Sequence, residues 1–163
     1  MSSALKVITG GPARITVEGK AYELAPLNPL ALDELQDFVQ LAPLRAVNKR
    51  LELLGDSITD EHRMRLIDEA LKKCDEAVEL FSAKGEQIAG TLEGVRFIIR
   101  LMLQRKQPDI TDEEVVEIVT SANLEEWTEG INKVFMLMQE ALSPKARKQL
   151  KAHRGTARRK AKR

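Results

Sequence analysis

The sequence predicts a mainly α protein: a helical bundle of about five to six helices with a small N-terminal β-hairpin and a disordered basic C-terminal tail. Three observations carry this prediction. Apolar residues recur at steps of three and four along most of the chain, which is the period of one helix face. Hydrophobic residues make up 43% of the 163 residues but aromatics only 4%, so the core is aliphatic and rich in helix-forming Leu, Met and Ala. Charge is unevenly placed. From Lys145 to the end there are ten of the 26 bases and no acid, so the first 144 residues hold sixteen bases against 25 acids, a balance of −9.

Residues 1–13, with Gly10, Gly11 and Pro12, read as a flexible arm. A hairpin is expected over 14–24. Ile15 and Val17 alternate with polar residues, as do Tyr22 and Leu24, and Gly19 between them can take positive φ. The helical domain extends to residue 142. Pro26 and Pro29 mark entry into its first helix, with Leu32, Leu35, Phe38 and Val39, and Pro43 breaks or kinks the pattern. Leu44, Val47, Leu51 and Leu54 resume it up to Gly55. Thr59 caps the next helix, whose apolar seam Met64, Ile67, Leu71, Cys74, Val78 and Phe81 predicts one long helix ending at Lys84-Gly85.

Thr91 caps a helix that is apolar over more than one face (Leu92, Val95, Ile98, Ile99, Leu101, Met102, Leu103), the mark of a central element, and Pro108 stops it. Thr111 and Glu114 have capping-box spacing before the short helix of Val115, Val116, Ile118 and Val119. Asn123 and Glu126 repeat that spacing before a second seam, Leu124, Trp127, Ile131, Val134 and Met138. Residues 143–163 read as a short helix opened by Ser143-Pro144, followed by a basic tail that includes Lys151, Arg154, Arg158, Arg159 and Lys160.

The pattern argues against an enzyme. The sequence has no Gly-rich phosphate loop, nucleophile elbow or His-Glu-x-x-His pair. His62 and His153 are far apart, and the lone Cys74 reads as a small seam residue. No cofactor and no metal are expected. Eight acids and no base lie between Gln107 and Asn132. Most suit first helical turns, but Glu113 and Glu117, one turn apart, could also dock a basic segment, either a partner's or the chain's own tail. The tail reads first as a disordered solubilising extension; it could also meet an acidic protein surface, or contact nucleic acid. Lacking aromatics, it would do so without sequence preference and with steep salt dependence. The N-terminal Met1-Ser2-Ser3-Ala4-Leu5-Lys6 is not an apolar leader and no apolar run spans a bilayer, so the expected location is cytoplasmic, without membrane contact.

The order of several strings resembles the tail assembly chaperones of long-tailed bacteriophages. These are the hairpin Ile15-Thr16-Val17-Glu18-Gly19-Lys20-Ala21-Tyr22-Glu23-Leu24 followed by Pro26-Leu27, the helix Phe97-Ile98-Ile99-Arg100-Leu101-Met102-Leu103, the string Gln107-Pro108-Asp109-Ile110-Thr111-Asp112-Glu113-Glu114-Val115, and Asn123-Leu124-Glu125-Glu126. The resemblance covers roughly residues 14–140. It implies a non-catalytic helper in the host bacterium that binds and solubilises the tape measure protein while the tail tube assembles. The tail tube protein and a second copy of the chain are further candidate partners, and a longer frameshifted form is common in the family. Two other readings stand beside it: a nucleic-acid-associated protein acting through its tail, and a structural tail or connector component of the particle.

An exposed 3-4 seam suits the chaperone role, because a client helix with a bare apolar stripe aggregates until it is covered. Such seams usually bury against each other inside one domain, and Trp127 reads first as a core residue; where the seams stay open, the candidate partner-binding residues are Met64, Ile67, Leu71, Val78 and Phe81 on one, Trp127, Ile131 and Met138 on the other, and the acids Glu113 and Glu117.

Overall fold

In the computed structural model, which describes residues 12–141, two strands precede seven α-helices. The strands β1 (Ala13–Val17) and β2 (Lys20–Leu24) pair antiparallel, with Ile15 opposite Tyr22. Glu18 and Gly19 turn the hairpin with φ of 49° and 78°. Two successive positive φ values match the right-handed strand twist, and Gly takes one of them without a Cβ penalty. Ala13 is buried, so the hairpin begins one residue earlier than the sequence suggested.

The helices are α1 (Pro29–Gln40), α2 (Ala42–Leu54), α3 (Asp60–Cys74), α4 (Ala83–Ala89), α5 (Leu92–Gln104), α6 (Asp112–Ile118) and α7 (Leu124–Ala141), with a 3₁₀ turn at Gly55–Ser57. Most caps follow local chemistry. Asn28 accepts from the Ala31 amide at 2.7 Å, with Pro29 at the first helical position, and Thr91 accepts from the Gly94 amide at 3.1 Å. Thr111 and Glu114 form the reciprocal capping box, at 2.8 and 3.2 Å.

The central place of α5 is observed: it packs against α1, α4, α6, α7 and β2, and Ile99 and Met102 are fully enclosed. The β-hairpin closes one side of this core by packing on α5 and α7. Tyr22 meets the Trp127 ring with centroids 4.9 Å apart, and the Ala25 amide donates to the Met102 carbonyl at 3.1 Å. That bond satisfies a carbonyl near the C-terminal end of α5.

Three expectations are corrected. The long helix predicted through Phe81 ends at Cys74, and a separate short helix, α4, follows it. The helix is interrupted because α1 captures its backbone. Gln40 accepts from the Val78 amide at 3.0 Å and donates to the carbonyls of Cys74 and Glu76. Gln36 accepts from the Leu80 amide at 2.9 Å and donates to the Val78 carbonyl at 2.7 Å. These amides take groups that a continued helix would have used itself. Gly85 is not a helix end but lies inside α4, capped by Ser82. A Cβ there would come within 2.2 Å of the Glu79 carbonyl oxygen, so only glycine lets α4 lie this close to the captured segment.

Asn123 does not repeat the capping box in its expected form. It is buried, accepts from the Thr120 amide at 2.8 Å, and donates to the Ile118 carbonyl at 3.0 Å and to Glu18 at 3.2 Å. It thereby joins the α6–α7 turn to the hairpin turn. The short helix expected at Ser143-Pro144 and the basic tail lie outside the described residues.

Candidate functional site: an open helical face and two grooves

The two predicted seams have different fates. Along α7 the seam is closed. Trp127 and Val134 are fully enclosed, and the Trp127 indole N–H donates to the Ile118 carbonyl at 3.0 Å. Trp127 is therefore a core residue with its polar handle satisfied, not a surface anchor. Ile131 is 6% exposed, and Met138 is half-buried against the core. Val78 also drops out as a surface residue, because the glutamine capture turns it inward at 7% exposure.

On α3 the seam stays open. This helix forms a hairpin with α2, and only Leu51 of α2 and Ala70 of α3 are buried in it. Neither belongs to the main core cluster. Ile67 and Cys74 are half-buried, while Met64 is 59% and Leu71 45% exposed. Met64 and Leu71 are seven residues apart, two turns along one stripe. The exposed Leu30 and Leu53 do not share that stripe. They are single surface leucines of the ordinary kind.

The hairpin is tied to the body at its base. The Arg45 guanidinium lies 3.5 Å above the Phe38 ring, donates to the Phe38 carbonyl, and pairs with Glu93 at 3.0 Å. Phe38 in turn stacks on Phe97 of α5, with centroids 4.4 Å apart. The captured segment after α3 is the second tie.

Two grooves flank this base. One, of about 340 Å³, opens between α1, α4, α5 and α7. Leu35, Leu80, Ile98 and Phe135 line it, Ile131 shows an edge in its wall, and Phe81, 39% exposed, also lines it. The other, of about 600 Å³, lies between α2, α5 and α6 and is more polar, with Lys49, Arg96 and Glu93 among apolar residues such as Phe97 and Val116. Its Arg96 is already engaged, donating to the carbonyls of Val119 at 2.8 Å and Val116 at 3.4 Å at the end of α6.

The acidic run separates into two groups. Asp112 pairs with Arg100 at 3.3 Å and Glu114 closes the capping box. Glu113 and Glu117 are exposed and have no ion pair among the described residues. His62 sits in the exposed first turn of α3 and accepts from Arg65 at 2.9 Å. Among the described residues no cluster of His, Cys, Asp or Glu is arranged as metal ligands, and no helix is long and apolar enough to cross a membrane. The basic residues Lys151, Arg154, Arg158, Arg159 and Lys160 lie outside the described residues.

Sequence reasoning missed Gln36, Gln40 and Arg45, and read Asn123 only as a helix cap. The one available signal was the spacing of Gln36 and Gln40, one turn apart beside the buried Leu35 and Val39, where two polar side chains can act together. Comparison with protein-family models, with curated proteins and with solved structures finds no match.

Proposed function

We propose that this chain is a non-catalytic helper that holds an elongated helical client, and that the client is the tape measure protein of a long-tailed bacteriophage in the host cytoplasm. The observation that carries the reading is the open apolar stripe of Met64 and Leu71 on a helix pair that stands outside the main core. A lone helix pair buries only one face of each helix, so a third helix laid along it gains apolar contact without unfolding anything. The unbranched Met64 can repack against different partners. The Phe81 groove offers a second apolar seat of about 340 Å³. The resemblance of the order of sequence strings to tail assembly chaperones is what suggests the identity of the client.

Co-expression of the full chain with its cognate tape measure protein tests this. The client is expected to stay soluble with the native chain and to precipitate with a Met64→Glu/Leu71→Glu variant that keeps its native helix content. Precipitation with both chains rejects the reading. Charge reversal at Glu113 and Glu117 is expected to weaken capture if those acids hold a basic client segment. Unchanged capture would leave them outside the client interface.

A further inference from the structure

A stripe of alternating charge runs beside Met64 and Leu71 on α3. Glu61, Arg65, Asp68 and Lys72 follow one another at steps of four, three and four, so they lie on one face, and all four are exposed. Their signs are minus, plus, minus, plus. None has an opposite charge within salt-bridge distance among the described residues, although i,i+4 partners are present on the same helix. Arg65 instead donates to the His62 ring.

This pattern is complementary to itself only when reversed. If two α3 helices run antiparallel, Glu61 faces Lys72 of the second copy and Arg65 faces Asp68. The two-fold axis repeats both pairs, and Met64 then comes beside Leu71 of the second copy. In a parallel pair each charge would face its like. The helix also begins with Asp60 and Glu61 and ends with Lys72 and Lys73, so antiparallel pairing sets acidic ends against basic ends and opposes the two helix dipoles.

We propose that α3 is a homodimer interface, in which the α2–α3 hairpins of two copies pair antiparallel through α3 into a four-helix arrangement. The closed two-fold symmetry makes one surface patch serve both partners. The charges set direction and register, and Met64 and Leu71 supply the apolar contact. A client helix taking the same stripe would compete with the second copy, but the pairing itself needs no client. Its test therefore stands apart from that of the proposed function.

Sedimentation of the full-length chain over a range of concentrations, at low and high salt, provides the measurement. Two variants decide it: a basic stripe, Glu61→Lys/Asp68→Lys, and an acidic stripe, Arg65→Glu/Lys72→Glu. The native chain is expected to dimerise, less tightly at high salt because exposed pairs are screened. Each variant alone should lose at least about tenfold in dimer affinity, and an equimolar mixture should recover it as a heterodimer. The exchange Glu61→Lys/Lys72→Glu, which keeps the stripe self-complementary, should dimerise like the native chain. A native chain that stays monomeric throughout overturns the proposal. So does a dimer that neither single-sign variant weakens, or a mixture of folded variants that fails to associate.

Discussion

The body of this protein and its α2–α3 hairpin are built from similar sequence patterns but end in different physical states. In the body, α1, α5, α7 and the β-hairpin enclose Leu24, Leu35, Ile99, Met102 and Trp127 almost completely. In the hairpin, equally regular apolar spacing leaves only Leu51 and Ala70 buried. The difference is the number of neighbours. An element packed on two or three others can bury its whole apolar face, whereas a helix with one neighbour keeps a flank in water. The same periodicity therefore means core in one place and candidate contact surface in the other.

The largest expected effect lies in the body. Trp127→Ala removes a fully buried ring and leaves the Ile118 carbonyl without its indole donor. It should cost about 3–5 kcal/mol of global stability in chemical denaturation. A loss comparable to that of an ordinary surface substitution would contradict the enclosed core.

The junction comes next. Gln36→Ala and Gln40→Ala each unpair part-buried backbone groups of the captured segment, at about 1–3 kcal/mol apiece. Hydrogen exchange of the Val78 and Leu80 amides should accelerate before that of α5. If the two regions exchange together, they are one cooperative unit and the contrast between them is smaller than the burial implies.

Arg45→Ala should act more weakly, by about 0.5–1 kcal/mol through loss of its place over the Phe38 ring. Its mark is selective: faster exchange in α2 and α3 with α5 and α7 unchanged. Loss of protection across α5 would show that Arg45 supports the body as well as the hairpin's base.

The smallest effect concerns pH and belongs to the body's β-hairpin. The Arg14 guanidinium, 3.2 Å from Glu23, holds that carboxyl below the usual carboxylate range, and Lys106 at 3.5 Å adds to the effect. A carboxyl whose folded pKa is depressed stabilises the fold above its unfolded pKa, and that contribution is lost as pH falls through the folded value. Glu23→Gln should therefore lower stability slightly in the neutral region and leave the fully acidic end unchanged, so that the acid limb becomes shallower; the change is small because both ion pairs are solvent-exposed. An acid limb identical to that of the native chain would deny the pairing any role.

Much of the fold was legible because the signals are local. Thr59, Thr91 and the Thr111–Glu114 box start their helices where the sequence places them. The Glu18-Gly19 turn defines the hairpin, and the wide apolar surface of α5 marks it as central. The candidate site was legible only in part. Met64 and Leu71 are exposed on their predicted helix, but Trp127 and Val78, on seams found by the same rule, are inside. Periodicity reports that a face is apolar and carries no information about what covers it.

The sequence alone determined most of the helical segments, where most of those helices begin, and the order of charges along α3, since each depends on neighbours within about a turn or two. Tertiary structure decided what lies beyond that reach. It ended α3 at Cys74 because two glutamines of α1, more than thirty residues upstream, bind the backbone that follows. It also selected which of two like seams was buried. A backbone N–H or C=O joins whichever partner the folded chain brings to it, and it is the packing of the helices that sets α1 against residues 74–80.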